Sequence, residues 1–242
     1  MNLFIIPGNP PAVHFYNKWI EEIAETHPDY GAFVSAYDTN LSPSSPRYLE
    51  AVAANHTKNL EKYYLEVKKP ITVVGHSLGA WMALKTLTAH SKIIERCYLL
   101  YPFLQKPTAR GRLILGLTHK FTKWRKFESA IIKSKPILSR IFTALDKVST
   151  EEMRSTLRLA HHEHSTIANR RSPEDLAVKN LSPELAKKLR FIYCENDTWC
   201  PPELQKNLRK SLKNKKVYAK HDFIISSHER AQVFRTMLEL AD

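Results

Sequence analysis

Three residues far apart in the chain have the types and settings to act as one chemical unit. Ser77 is the middle residue of Gly75-His76-Ser77-Leu78-Gly79, which fits G-x-S-x-G. The four residues before it, Ile71-Thr72-Val73-Val74, are all β-branched and read as a buried strand, while "LGAWMALKTLTAH" after it reads as a helix. A strand that stops, presents one side chain and restarts as a helix needs a turn so tight that the flanking residues are nearly bare. Gly75 and Gly79, two of only six glycines in the chain, meet that need. The turn would project the Ser77 hydroxyl and place the Leu78 backbone N–H at a helix start, where it can stabilise an oxyanion. A serine that merely capped the helix would not require the second glycine.

A nucleophilic serine needs a base, and the base needs a carboxylate to orient it. Behind such an elbow the chain order is Ser, acid, His. In "FIYCENDTWCP" Asp197 lies just past a strand-like segment; Glu195 and Asp222 are its competitors. His221, in "YAKHDF", falls between the last strand and the last helix, whereas its rival His228 falls in that helix's first turn. Asp197 and His221 are therefore the favoured acid and base. The second oxyanion donor should come from "PGNPP" after the first strand. Pro10 and Pro11 have no N–H, which leaves the Asn9 backbone, with Gly8 giving the loop freedom to aim it. A plain Pro/Gly turn is the alternative for this segment. Gly8, His76, Trp81 and Tyr101 are the nearest candidates to line the substrate site, although His76 also reads as structural.

Other reactive residue types read blandly. Cys97, Cys194 and Cys200 are odd in number, scattered, and lack C-x-x-C spacing, so they read as small buried hydrophobes. "HHEH" at His161–His164 lacks H-E-x-x-H and any accompanying carboxylate pattern, so it reads as a solvated or cap-lining face. The expected site uses neither metal nor cofactor.

Strand-like and helix-like segments alternate around these residues, which favours a parallel sheet covered on both faces. The strands read as "NLFII", "GAFVSAY", "PITVV", "ERCYLLY", "KLRFIYC" and "KKVYA". The helices read as "FYNKWIEEIAET", "YLEAVAANHTKNLEKYYLEV", the segment after the elbow, one after "PPEL" and one near "SHERAQVFRTMLELA". The expected fold is α/β, with six parallel strands, "NLFII" beside "ITVV" and "GAFVSAY" at one edge. Between the fourth and fifth strands the rhythm breaks. Residues 103–185 read as an inserted helical cap at the sheet's carboxyl edge, and 1–102 with 186–242 as the core.

"IIPGNPPAVHFYNKWIEEI", "VVGHSLGAWMAL", "YCENDTWCP" and "HDFI" resemble segments of the lipid-droplet-associated hydrolase family, within the α/β-hydrolases. Pro11 stands where that family usually has glycine. The resemblance implies an α/β-hydrolase fold, a serine ester hydrolase acting on lipid-type esters, and triad roles for Ser77, Asp197 and His221. A non-catalytic lipid- or protein-binding module on the same fold is the competing reading.

The chain carries a net charge of +13, which attracts anionic partners. From Leu104 to Val148 eleven basic residues face only Glu128 and Asp146, a balance of +9, so most of the excess lies in the cap. Leu113, Leu117, Phe121 and Trp124 follow helical spacing there, as do Ile137, Ile141, Leu145 and Val148. Either these stripes seal the cap onto the core, or they form an interfacial helix that meets an anionic membrane or lipid-droplet surface. No recognition motif argues for nucleic acid. No apolar run spans a bilayer and the first residues lack a basic leader, so a cytoplasmic protein, peripheral at most to a lipid surface, is expected.

Overall fold

Continuous apolar runs become central strands, and amphipathic runs become the helices that cover them. The computed structural model describes residues 1–38, 47–122, 129–130, 132–135, 147–168, 181–200 and 212–241. Six strands form one sheet: β1 (Asn2–Ile6), β2 (Gly31–Val34), β3 (Ile71–His76), β4 (Ile94–Leu100), β5 (Leu189–Tyr193) and β6 (Lys213–Lys216). Their order is β2-β1-β3-β4-β5-β6, and every pairing is parallel. The expected neighbours of β1 and the edge position of β2 are both found. All six residues of β3 are buried, as a strand covered on both faces requires.

Seven α-helices lie among the described residues: α1 (Val13–Thr26), α2 (Tyr48–Val67), α3 (Leu78–Ala89), α4 (Ala109–Thr122), α5 (Thr150–Glu163), α6 (Pro183–Lys188) and α7 (Ser227–Glu239). Local chemistry sets several starts. Ser149 and Glu152 form a capping box at α5, and Ser182 caps α6 with Pro183 just inside it. Phe15, Tyr16, Trp19 and Ile23 form the buried face of α1. Trp19 meets Phe223 edge-on at 5.4 Å, and Arg230 of α7 grips both carboxylate oxygens of Glu22 in α1. These contacts fix the segment bearing His221 against α1.

β6 begins earlier than its sequence suggested. The strand is Lys213–Lys216, and only Lys215 and Lys216 of "KKVYA" belong to it. At a sheet edge backbone pairing suffices and lysines are tolerated on the outer side. The expected boundary at 185/186 falls inside α6. The segment "LSPSSP" at 41–46, the helix expected after "PPEL", and Trp124, Ile137, Ile141 and Leu145 lie outside the described residues, as does the side chain of Phe121. Among the described residues no helix is long and apolar enough to cross a membrane.

The chain leaves β1 toward one edge to form β2 and returns on its other side to form β3. The carboxyl ends of β1 and β3 therefore stand side by side, with Ile6 opposite Gly75, at the point where the strand order reverses. Loops leaving such a point bound a crevice.

Candidate active site

Ser77 occupies the tip between β3 and α3 with φ 53° and ψ −116°, a left-handed conformation unusual for any residue but glycine. Three backbone bonds hold it there. Its N–H donates to the Leu100 carbonyl (2.9 Å), and its own carbonyl accepts from Ala80 (3.1 Å) and Phe103 (3.1 Å). Such a conformation costs on the order of 1–3 kcal/mol, so it persists only where its surroundings enforce it. The two glycines serve close approach. A Cβ on Gly75 would lie 2.5 Å from the Gly79 carbonyl oxygen, and one on Gly79 would lie 2.2 Å from that of Ile6.

The Ser77 hydroxyl does not cap α3. Its Oγ lies 3.0 Å from His221 Nε2, and His221 Nδ1 lies 2.8 Å from Asp197 Oδ2. The direction of these bonds follows from the acid. Asp197 is buried, and its other oxygen accepts from the N–H groups of Trp199 (2.8 Å) and Cys200 (3.0 Å). Burial works to raise its pKa, but the hydrogen bonds from His221, Cys200 and Trp199 outweigh it and hold the carboxyl below its ordinary range. An ionised carboxylate only accepts, so Nδ1 of His221 carries the proton and Nε2 presents a lone pair to the Ser77 hydroxyl. None of the competitors stands in the line of hydrogen bonds to Ser77. Glu195 is exposed and accepts from Lys216 (2.6 Å), Asp222 is exposed beside the cavity, and His228 is exposed on α7 with Gln232 3.0 Å away.

Leu78 opens α3, where helix geometry leaves its N–H without an intrahelical partner and the helix dipole favours negative charge. In the loop after β1, the Gly8 N–H is committed to Tyr16 Oη (3.0 Å), and Pro10 and Pro11 have none, which leaves Asn9.

That Gly8 bond opens a chain running beneath the site. Tyr16 Oη lies 2.7 Å from His76 Nδ1, and His76 Nε2 lies 2.9 Å from the His221 carbonyl oxygen. A carbonyl only accepts, so Nε2 of His76 carries the proton. Nδ1 then accepts from the tyrosine, whose oxygen accepts from Gly8. Burial first, and the nearby His221 second, push the His76 pKa down to about 3, so the ring stays neutral. One neutral imidazole thus ties the loop after β1, the elbow and the backbone of His221 together.

A cavity of about 150 Å³ opens beside these groups. Gly8, Asn9, His76 and His221 line it, with apolar walls from Phe15, Val148, Ile224 and Ile225. Trp81 and Tyr101 are not among its walls. Trp81 is buried in α3 with the Lys85 ammonium 5.2 Å from its ring centre. Tyr101 is fully buried, donates to the Ala219 carbonyl (3.1 Å) and packs its ring 5.6 Å from that of His221.

Tyr16 and Glu163 carry no role in the sequence reading. Tyr16 lies in the helix read from "FYNKWIEEIAET" and is buried in the structure; a tyrosine beside the apolar positions of such a helix, whose hydroxyl needs a partner when buried, is the signal. Glu163 sits inside "HHEH". The structure buries His162 and Glu163 and gathers the rings of His161 and His164 around His119 of α4, at 4.2 and 4.5 Å. Among the described residues the donor atoms that cluster tightly enough for a metal are those of Asp197, Cys200 and His221. The Cys200 thiol donates to the Tyr101 carbonyl (2.7 Å), and burial pushes its pKa well up, so it is a poor thiolate ligand.

A sequence-family model described as "Lipid-droplet associated hydrolase" matches residues 1–229. Solved structures share the fold at low identity. An esterase from Exiguobacterium antarcticum superposes with a TM-score of 0.61 at 13% identity, covering 99% of this chain and 91% of that one. A thermophilic esterase from Thermogutta terrifontis gives 0.63 at 14%, with 99% and 89% covered. The RedJ thioesterase from Streptomyces coelicolor gives 0.61 at 13%, with 99% and 90% covered.

Proposed function

Given that the chain belongs to the lipid-droplet-associated hydrolase family, we propose that it cleaves carboxylic esters of lipid type through an acyl-enzyme on Ser77. The observation that carries this reading is the hydrogen-bonded line from Asp197 to His221 to Ser77, with steps of 2.8 and 3.0 Å. Ser77 Oγ attacks the ester carbonyl while His221 Nε2 takes its proton. The oxyanion is met by the N–H groups of Asn9 and Leu78. Collapse expels the alcohol, which receives the proton from His221. Water, deprotonated by the same nitrogen, then releases the acid, and Asp197 holds the imidazole throughout. The described helices of the insertion, α4 and α5, act as a lid over this centre. The cavity beside Asn9 and His221, walled by Phe15, Val148, Ile224 and Ile225, would receive an apolar substituent of the ester.

An alkyl fluorophosphonate probe tests the reading directly, because only an activated serine reacts with it. Stoichiometric labelling at Ser77, lost in Ser77→Ala, is the expected result. A wild-type chain that stays unlabelled would instead be a binding module on this fold.

A second element of the proposal concerns where the substrate is met. Leu113 is 63% and Leu117 44% exposed on α4, in the same helix as Arg110 and Arg112, while Leu115 is buried. That outward pairing of leucine with arginine favours peripheral contact with an anionic lipid surface, each basic residue there adding about 1 kcal/mol before screening. Sedimentation with anionic vesicles at low salt is expected, with release at high salt and none on neutral vesicles. Absence of binding to anionic vesicles at low salt would leave α4 as lid alone.

A further inference from the structure

The oxyanion loop is fixed from two directions. From the core, Tyr16 holds the Gly8 N–H. From the inserted block, α5 holds the Asn9 side chain, whose Nδ2 donates to the Thr156 carbonyl (3.2 Å) and to Glu163 Oε2 (2.9 Å), 147 and 154 residues along the chain. With two acceptors on the same side, flipping the amide would set its oxygen against a carbonyl and a carboxylate. Glu163 is only 5% exposed, and among the described residues no lysine or arginine pairs with it. A carboxyl group buried without a cation costs stability, and here its hydrogen-bond partner is the side chain of the loop's expected oxyanion donor.

We infer, resting on the reading that Ser77 is acylated, that Glu163 is a positioning residue: by holding the Asn9 amide it aims the Asn9 backbone N–H, so the oxyanion hole is completed only when α5 is docked. Thr156 and Glu163 lie on the face of α5 that also carries Met153 and Ala160, so docking of that face and tethering of Asn9 are one event.

The tether is also sensitive to pH. Burial pushes the Glu163 carboxyl up to about 7, against the Asn9 hydrogen bond and the His221 imidazole, both of which lower it. Tyr37 and Cys200 face it as well, and both remain protonated because burial raises them. The ionised carboxylate is the stronger acceptor. The grip on Asn9 therefore tightens as pH rises through about 7 and slackens below it.

Three measurements test this. Glu163→Ala is expected to lower kcat on a short p-nitrophenyl ester about tenfold to a hundredfold with KM nearly unchanged, the signature of a misaimed transition-state donor. Glu163→Gln, whose carbonyl still accepts from Asn9, should recover most of that loss and remove one ionisation near pH 7 from the kcat profile. Because the alanine variant leaves a gap, its folding is checked by circular dichroism. Independently of turnover, the Asn9 side-chain amide resonances, identified by their loss in Asn9→Ala, should shift with pH in the wild type and stay still in Glu163→Gln. Wild-type kcat in a folded Glu163→Ala, or Asn9 resonances indifferent to pH, overturns the inference. Failure of the acyl-enzyme reading looks different: no variant labels at Ser77 even though the Asn9 resonances titrate, and the kinetic role of Glu163 falls with it.

Discussion

Replacing Ser77 with alanine is expected to lower kcat on short p-nitrophenyl esters by at least about 10,000-fold while leaving the unfolding transition in place. The size follows from the proposed mechanism, in which Ser77 Oγ is the atom that bonds to substrate. Its removal deletes one hydroxyl from a site whose backbone is held by Leu100, Ala80 and Phe103 and not by that hydroxyl. Asp197→Asn should cost a comparable factor. The amide would offer its NH2 or its oxygen to His221 and disturb the tautomer that points a lone pair at Ser77. Combining either change with His221→Ala should add little, since residues that act as a unit lose their function together. His228→Ala and Glu195→Gln serve as comparisons, as both side chains are engaged away from Ser77. A larger loss from His228→Ala than from His221→Ala would overturn the assignment of the base.

The second large effect concerns the backbone. Gly79→Ala is expected to destabilise the chain by about 3 kcal/mol or more in urea unfolding, because its Cβ would meet the carbonyl oxygens of Ile6 and Pro7 at 2.2 and 2.5 Å. Those atoms end β1, so relief requires moving a central strand or the start of α3. Gly116→Ala is the internal comparison. In the interior of α4 a Cβ there would, among the described residues, approach nothing nearer than His164 Nε2 at 3.8 Å, and a gain of about 0.5–1 kcal/mol is expected. Equal stability of the two variants would mean that close approach at the elbow is not what requires glycine.

Most of the sheet was legible because its strands are apolar on both faces and its helices are not, so period and composition agree along "NLFII", "ITVV" and "ERCYLLY". The last strand was harder. The apolar signal lies in Val217 to Ala219, but the ladder runs through Lys213–Lys216, where only backbone pairing operates. The elbow serine could be singled out because its geometry demands bare neighbours, and bare neighbours are visible as letters. The support beneath it could not. Whether Tyr16 contributes an apolar ring or a hydroxyl, and whether His76 faces substrate or a carbonyl, depends on contacts across 60 and 145 residues that no local pattern encodes. Glu163 left a faint trace. Met153, Thr156, Ala160 and Glu163 follow helical spacing, but three neighbouring histidines suggest metal chemistry more readily than a tether.

The position of the inserted block has a consequence for how the chain is made. β1 to β4 can pair as soon as they leave the ribosome, but β5 follows only after roughly ninety more residues have been added. At ordinary elongation rates that is a delay of roughly 4 to 18 s. Throughout it the buried Cys97–Leu100 stretch of β4, later covered by Leu189–Ile192, is an open apolar strand edge. The nascent half-sheet is then most exposed to self-association, and it carries Ser77 at its elbow before either His221 or Asp197 has been synthesised.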